Sequence, residues 1–326
     1  MAAATQQAVV PATAGTLPPD LQQLAAARRV HQQVIAAQAS AETSRLWSFV
    51  QALGWAGVAD QMLGTVRAAL IAAANGAQAY AEDAVRLWGR RPNPAGLVNE
   101  RTFALTASDG RPLDTLLQQP ALGRAAFVDQ GMPADQADAI GRRHLQRIVV
   151  TQVADASRVA ASVAIVNDRQ LEGYIRHLTL PSCNRCILLA GLWYRYDAGF
   201  DRHPLCDCVG VPAAEVVAPP ASPQEIYDSL TDDERRKAGW SGHDQRAIDD
   251  GADLFQTTNY KRALKTVEIA GQKVKTTTVG TTKHGLAGKR GAKVRLTPEA
   301  IYQEADRLGW DRHQILRQLK LHGYVV

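Results

Sequence analysis

The sequence has few aromatic residues and little methionine. Of its 326 residues only 6% are aromatic, with five Phe and three Met, so most of the 46% hydrophobic content is Ala, Val and Leu. This composition favours helices and argues against a β-sandwich or a β-barrel. The charged fraction, 21%, is ordinary for a folded protein, which excludes a wholly disordered chain.

Segments for export or for membrane insertion are not visible in the sequence. Residues 1–15 lack the basic start and following apolar run of a secretory signal. In the helical part the longest apolar-leaning stretch without a charge is Ala68–Ala81, which has 14 residues, and a membrane span needs about 20. We therefore expect a chain that is not exported by the general route and that has no membrane partner.

Linear catalytic signatures are missing as well. The sequence contains no His-Glu-x-x-His, no Gly-x-x-x-x-Gly-Lys-Ser/Thr phosphate loop and no Gly-x-Gly-x-x-Gly after a strand. The segment Gly239–Gly242 is one residue short of a Gly-x-Ser-x-Gly nucleophile elbow. We therefore predict no catalytic residues and no enzymatic activity, and we interpret His144, His177 and His243 as ordinary surface or packing residues.

All four cysteines lie in one short segment, and the rest of the chain has none. They form two close pairs, Cys183-x-x-Cys186 and Cys206-x-Cys208, with His203 just before the second pair. A Cys-x-x-Cys turn can direct two sulfurs at one metal ion, and a second pair completes the tetrahedral site that Zn²⁺ prefers. The sequence therefore predicts a structural zinc site whose ligands are either the four cysteines or three of them with His203.

Two other interpretations of the cysteines stay open. They could be reduced side chains that only pack, because a thiol behaves as a small hydrophobe. A disulfide is disfavoured, since no export signal indicates an oxidising compartment. The residues between the pairs alternate from Leu192 to Tyr196 like a half-buried strand, and the turn at 197–199 then predicts a small β-hairpin.

Helical patterns dominate on both sides of the cysteines. A helical region is predicted from about Asp20 to Trp88, followed by a break at 89–96 and a mixed stretch at 97–132. A second helix opens at Pro133 and runs beyond Val166. Its apolar residues recur at three- and four-residue steps, which indicates core packing: Leu145, Val149, Val153, Ala156, Ala160 and Val163.

Helix caps mark the last third of the chain. Ser222 with Glu225, and Thr231 with Glu234, fit the capping-box pattern. A final pair of helices is predicted, because Thr297 can cap a helix that Gly309 stops, and a second helix follows to about Gly323.

Residues 261–295 differ in charge from the rest of the chain. They hold ten Lys or Arg against one acid, Glu268, whereas the net charge of the whole chain is only +5. Gly and Thr separate these cations, so we expect an extended or loosely ordered arm that contacts DNA without base readout, or else a solvated linker. The candidate nucleic-acid-binding residues are Lys273, Lys275, Lys283, Lys289, Arg290, Lys293 and Arg295.

Four segments carry a resemblance to a known family. Ser182–Gly191 contains the first cysteine pair, and Gly199–Cys208 contains the glycine turn and the His-Pro-x-Cys-x-Cys run. With Gln245–Asp253 and the ending (Leu296–Glu299 with Gly323–Val325), they resemble the phage Mu F-like head-morphogenesis, or minor capsid, family, closest to versions from tailed phages of actinobacteria. The resemblance covers about residues 135–326. A His that follows the last cysteine in some relatives is absent here, because Val209 and Gly210 stand at that point.

The resemblance implies a bacteriophage virion protein with a structural zinc site. Such proteins are present in few copies near the portal and act in procapsid assembly or genome delivery. The expected partners are the portal or the major capsid protein, and packaged DNA through the basic arm. The expected location is the virion, after assembly in the host cytoplasm. Some relatives are labelled capsid maturation proteases, which makes a protease the alternative and a non-specific DNA-binding module the second alternative.

Together these patterns predict a mainly α fold. We expect a mobile tail at 1–18, a helical region at 19–95 and a mixed linker at 96–132. The family core would occupy 133–260, with a zinc knuckle and its short β-hairpin at 179–212. A basic extended arm at 261–295 and a C-terminal helical hairpin at 296–326 would complete the chain.

Overall fold

The computed structural model describes residues 17–199, 202–206, 208–218, 221–269, 272–282, 285–289 and 291–325. The chain divides into two compact units. Unit 1 comprises Met1–Thr179 and Gly191–Pro220, and unit 2 comprises Leu180–Ala190 and Ala221–Val326. Most of the predicted mobile tail lies outside the described residues, but Leu17, at its end, is buried in unit 1.

Helices make up most of unit 1. They are α1 (Pro19–Trp47), α2 (Val50–Leu53), α3 (Ala59–Ala74), α4 (Ala77–Leu87), α5 (Leu113–Asp129) and α6 (Ala134–Asn167), with a 3₁₀ helix at Glu100–Ala104. The predicted helical region at 20–88 is therefore confirmed as four helices. The long second helix is also confirmed.

One face of α1 is buried, and most of the side chains on it are small or polar. The buried positions recur every three or four residues along the helix: Leu21, Ala25, Arg28, Gln32, Ala36, Ala39, Thr43 and Leu46. Arg28 donates from its guanidinium to the carbonyls of Ala73 and Asn75, at 2.8 and 2.6 Å, where α3 ends. The last carbonyls of a helix lack intrahelical partners, so a buried cation is stabilising there.

Helix α6 is the central element of unit 1 and packs against α1, α3, α4 and α5. The predicted stripe is buried from Leu145 to Ala160, whereas Val163 is 43% exposed and lies outside the core. By length and composition α6 could cross a membrane, but its apolar window is 72% buried inside the protein. The core helix of a folded domain has the same properties.

Close helix packing in unit 1 depends on a glycine of α6. A Cβ at Gly141 would lie 2.8 Å from Cη2 of Trp47 and closer still to Cζ2. Trp47, the last residue of α1, is fully buried in the main core cluster. The large indole can therefore lie against α6 only because position 141 has no side chain.

Helix α5 was not predicted, because residues 96–132 were expected to form a mixed linker. Pro120 lies inside it, and a proline normally breaks the helix ladder. Leu113, Leu117 and Pro120 are nevertheless buried, and α5 packs on α3 and α6. Tertiary packing here outweighs local propensity.

A small antiparallel sheet completes unit 1, with strands β1 (Gly173–His177), β2 (Trp193–Arg195) and β3 (Val209–Ala213). The order is β2-β1-β3, so β1 pairs with both of the others. The hairpin predicted within the cysteine segment is therefore wrong, because β1, which precedes that segment, separates the two strands. Gly173 is required in β1, since a Cβ there would meet Cζ2 of Trp193 at 2.6 Å.

The sheet and the N-terminal helices share one interior. Leu21 and Ala25 of α1 are buried in one cluster with Ile175, Trp193 and Val211 of the sheet. The helices at 19–95 and the sheet thus lie in one compact unit, which differs from the predicted division at residues 96–132.

Unit 2 begins with short, well-capped helices. They are α7 (Asn184–Leu188), α8 (Pro223–Ser229), α9 (Asp232–Ala238), α10 (Gly242–Asp249) and α11 (Leu254–Asn259). Both predicted capping boxes are present, with Ser222 and Glu225 at α8 and with Thr231 and Glu234 at α9. Trp240 is fully buried and donates from Nε1 to Thr258 at 2.9 Å.

The predicted C-terminal pair of helices is confirmed as α13 (Pro298–Leu308) and α14 (Arg312–Leu321), after a short helix, α12, at Leu286–Lys289. Thr297 caps α13, and Gly309 adopts a left-handed conformation at its end. Asp311 forms a capping box with Gln314 at the start of α14. Both helices pack with Tyr260 and Tyr324 around the core of unit 2.

The basic segment is more ordered than predicted. It forms a second antiparallel sheet with strands β4 (Leu264–Ile269), β5 (Gln272–Thr277) and β6 (Arg295–Leu296), in that order. Thr276 and Thr277 are fully buried, and their hydroxyls donate to the carbonyls of Lys265 and Tyr260. These β-branched residues support strands, whereas the high charge of the segment had indicated a loose arm.

Candidate metal centre and basic surface

The first cysteine pair lies at the start of a helical turn. Cys183 is the N-cap residue of α7, and its sulfur accepts from the backbone N–H of Cys186 at 3.4 Å. Cys186 is only 1% exposed. A Cys-x-x-Cys sequence at a helix start brings its two sulfurs to one side of the turn, and the N–H bond suits a sulfur that carries negative charge.

The second cysteine pair lies in a tight turn just before β3. The N–H of Cys206 donates to the carbonyl of His203 at 3.1 Å. Leu205 adopts φ +65°, an uncommon conformation for a residue with a branched side chain, and its N–H donates to Oγ1 of Thr151 at 3.2 Å. Cys206 and Cys208 are buried.

Each cysteine pair brings its two sulfurs close together. The sulfurs of Cys183 and Cys186, in unit 2, lie within 4.8 Å of each other, and so do the sulfurs of Cys206 and Cys208, in unit 1. Around a tetrahedral zinc ion, sulfurs at about 2.3 Å from the metal would be about 3.8 Å apart. Each pair is therefore close enough to supply two ligands to a metal ion.

The ring of His203 is oriented by its own loop. Its Nδ1 lies 2.8 Å from the carbonyl oxygen of Pro204. A ring nitrogen at this distance from a carbonyl carries the proton, which leaves the lone pair on Nε2. Metal-bound histidines commonly donate their other N–H to a backbone carbonyl, so this arrangement suits a ligand.

The donor set favours a particular class of ion. Thiolates with at most one imidazole suit zinc and other soft or borderline metals, whereas magnesium and calcium prefer oxygen ligands. Three of the four cysteines are buried. A fully ligated site of this kind would stabilise the fold around it and leave no open position for a substrate.

Buried charged residues surround the second cysteine pair, and the sequence analysis did not single them out. They are Asp155 and Arg158 on α6 and Arg176 on β1, which are 3%, 6% and 1% exposed. A sequence signal did exist, because Asp155 and Arg158 are the only charged residues between Arg147 and Asp168. An ion pair within such an apolar helix indicates a specific role, since burying charge is costly.

Six of the seven predicted nucleic-acid-binding residues divide into three groups. Lys273, Lys289 and Lys293 are exposed. Lys275 is also exposed but lies 2.9 Å from a carboxylate oxygen of Glu299. Lys283 and Arg290 lie outside the described residues.

Arg295 does not belong to this surface, which corrects the prediction. It is 1% exposed, and its guanidinium donates to Gln256 and to the carbonyl of Val279, at 3.1 and 2.9 Å. The guanidinium also lies over the ring of Tyr324, 4.3 Å from the centroid. Because the side chain is enclosed by unit 2, it stabilises the fold and cannot contact a phosphate backbone.

The other histidines are placed as packing or surface residues. His177, at the end of β1, is partly buried, and burial lowers its pKa, with a smaller effect from Arg29. His243 stacks against Tyr302 with the ring centroids 6.2 Å apart. Burial also lowers the pKa of His144, followed by the charge of Arg147.

No family model, curated protein or solved structure matches this chain.

Proposed function

We propose that the cysteine cluster holds one structural Zn²⁺ ion. The observation that carries this proposal is that each cysteine pair holds its two sulfurs within 4.8 Å of each other. The ligands are Cys183, Cys186 and Cys206, with Cys208 or His203 as the fourth. Zinc is the common ion for such a set of four sulfur and nitrogen donors. Binding would couple to folding, because a preformed metal site rarely exists in an unfolded chain.

Metal analysis of protein made in zinc-replete medium tests this proposal. We expect one zinc per chain, lost on chelation together with part of the thermal stability. Cys183→Ser should weaken binding strongly, whereas a serine substitution at Ala95, an exposed residue outside the cysteine segments, should not. A zinc content near zero, with four readily titratable thiols in the native protein, would contradict the site.

The fourth ligand can be assigned by cobalt substitution. The near-ultraviolet sulfur-to-cobalt band grows with the number of bound thiolates. Cys208→Ala should lower this band by about a quarter if four thiolates bind, whereas His203→Ala should then leave it unchanged. The opposite pattern would assign His203. His313, exposed on α14, provides a control through His313→Ala.

We infer that the chain is a bacteriophage minor capsid protein, a structural virion component near the portal that acts in procapsid assembly or genome delivery. The support is the resemblance of the cysteine segments and of the C-terminal segments to the head-morphogenesis family. The residues that carry the first part of that resemblance are the two cysteine pairs whose sulfurs lie close together. The protein would act in the host cytoplasm during assembly and then remain in the virion.

A partner surface for this role lies on α1. Val30 and Val34, one helical turn apart, are 56% and 49% exposed, within the region where we expect portal or capsid contacts. Exchanging both for Ser should reduce incorporation into phage heads, measured by quantitative mass spectrometry of purified particles. The matched exchange of Val159 and Val163, exposed on α6, should not reduce it. Particles that never contain the protein would contradict the virion assignment.

The capsid maturation protease is the alternative that the same material can test. Purified protein would be incubated with coat or scaffold protein. Discrete cleavage that one Ser, His or Asp substitution abolishes would favour the enzyme over the structural component.

A second candidate function is non-specific binding to DNA or another polyanion. It is supported by the exposed cations of unit 2, Lys273, Lys289 and Lys293, together with Arg262 and Lys265. Glycine and threonine between such cations allow contacts along a phosphate backbone without reading bases.

A further inference from the structure

Arg158 connects α6 to the turn that carries the second cysteine pair. Its Nη1 donates to the carbonyl oxygens of Cys206 and Cys208, at 2.6 and 3.2 Å. One guanidinium nitrogen therefore fixes the backbone on both sides of the position between the two cysteines. Since the carbonyl of each cysteine is bonded to its Cα, these contacts also restrict the direction in which each sulfur points.

Asp155 holds Arg158 in this position. Its Oδ1 accepts from Nη2 of Arg158 at 2.8 Å, and the same oxygen lies 2.6 Å from Nε of Arg202. Asp155 and Arg158 are almost fully buried. A buried ion pair contributes little net stability compared with apolar residues of the same size. Its geometry is specific, however, because the planar guanidinium directs its donors in fixed directions.

Arg176 approaches the sulfur itself. It is 1% exposed, and its Nη2 donates to Sγ of Cys206 at 3.7 Å. Arg176 is on the central strand of the sheet and pairs in register with Gly210, two residues after Cys208. A buried cation that donates to a thiolate stabilises its negative charge, and such donors tune the affinity of a metal site.

We propose that Arg158 and Arg176 are positioning residues of the metal centre, with Asp155 as the anchor of Arg158. Arg158 fixes the backbone of the Cys206-x-Cys208 turn, and Arg176 stabilises the sulfur of Cys206 as a ligand. The inference rests on the proposed metal site. The buried side chains of unit 1 would thus hold two of the ligands, Cys206 and Cys208, in their binding geometry.

The test compares zinc affinity among variants of the full chain, by competition with a chromophoric chelator. Arg176→Met should weaken zinc binding about 10- to 100-fold, the usual effect of losing a group that orients a metal ligand. Arg176→Lys, which retains a cationic donor, should recover most of the affinity. Arg158→Met and Asp155→Asn should both weaken binding, and the double variant should be little weaker than Arg158→Met, because Asp155 acts through Arg158.

Arg28→Met is the matched control. Arg28 is also a buried arginine of unit 1, 7% exposed, and it donates to backbone carbonyls, but to those at the end of α3. The Arg28→Met substitution should lower the melting temperature without changing zinc affinity or the cobalt spectrum. Arg176→Met should instead shift the sulfur-to-cobalt band, a change that a general loss of stability would not produce.

Two results would overturn the proposal that Arg158 and Arg176 position the metal ligands. Wild-type affinity and spectrum in Arg158→Met and Arg176→Met would overturn the proposal. So would an equal loss of affinity in Arg28→Met, because the effect would then be general. If Arg158→Met does not fold, the comparison of Arg176→Met with Arg176→Lys decides. Failure of the metal site itself is separate, since the wild-type protein would then bind no zinc.

Discussion

Burial determines the charge of His322, the residue that follows α14. Its Nδ1 accepts from the N–H of Leu296 at 3.3 Å. Burial lowers its pKa to about 4, with a smaller contribution from the charge of Arg295. The ring is therefore neutral at pH 7, and its lone pair connects the end of α14 to β6. Protonation would remove that acceptor and place a second cation beside Arg295.

A pH dependence of stability follows from this shift. Between the ordinary pKa of histidine, about 6.5, and the folded value of about 4, the unfolded chain binds a proton that the folded chain does not bind. The free energy of unfolding should therefore fall as the pH falls through this window, by about 1–3 kcal/mol from this residue.

Urea unfolding between pH 7.5 and pH 4.5 measures this effect. In His322→Asn, whose side-chain oxygen can still accept from Leu296, the loss of stability over this range should be smaller than in the wild type. His313→Asn, an exchange at an exposed position of α14, should behave like the wild type. Equal pH profiles for all three proteins would show that His322 titrates normally in the fold.

At the scale of elements, the contact between α1 and α6 depends on Gly141. Gly141→Ala should destabilise unit 1 by about 1–3 kcal/mol, because the new methyl group would overlap the fully buried ring of Trp47. Gly64→Ala is the matched control in α3, where a Cβ meets nothing within 4 Å. That exchange should stabilise by about 0.5–1 kcal/mol through helix propensity. Thermal unfolding of both variants measures the difference, and a rise in melting temperature for Gly141→Ala would contradict it.

Local signals predicted the ends of elements better than the pairing between them. The capping boxes at Ser222 and Thr231 were predicted from side chains three residues apart, which interact within one helical turn. The strand at Trp193–Arg195 was also predicted, but its partner is β1. Nothing local to residues 192–199 indicates that an earlier strand lies between β2 and β3.

At the scale of the whole molecule, the basic surface of unit 2 predicts a salt-dependent interaction. Binding to duplex DNA should weaken steeply with salt, because released counterions contribute most of the free energy. Exchanging Lys273, Lys289 and Lys293 for Gln should reduce the magnitude of the slope of log K against log salt by up to about three. Each lost phosphate contact lowers that magnitude by about one. Filter binding or fluorescence anisotropy at several salt concentrations measures that slope.

The control removes three charges elsewhere. Arg101, Arg143 and Arg147 are exposed in unit 1, and their exchange for Gln should leave the slope nearly unchanged. An equal effect of both triple variants would indicate a response to net charge alone. No binding even at low salt would leave the basic segment with a structural role only.

The sequence by itself determined the helical class, the capped helix ends and the closeness of the sulfurs within each cysteine pair. Each of these depends on interactions between residues close in the chain: propensity, capping and the short reach of a Cys-x-x-Cys turn. Only the tertiary structure decided which polar residues are interior. Arg295 was predicted on the surface but is enclosed with Tyr324, and Arg158 and Arg176 were not singled out although they contact the cysteine turn. Their burial depends on carbonyl and sulfur acceptors tens of residues away, which only the folded chain brings within hydrogen-bonding distance.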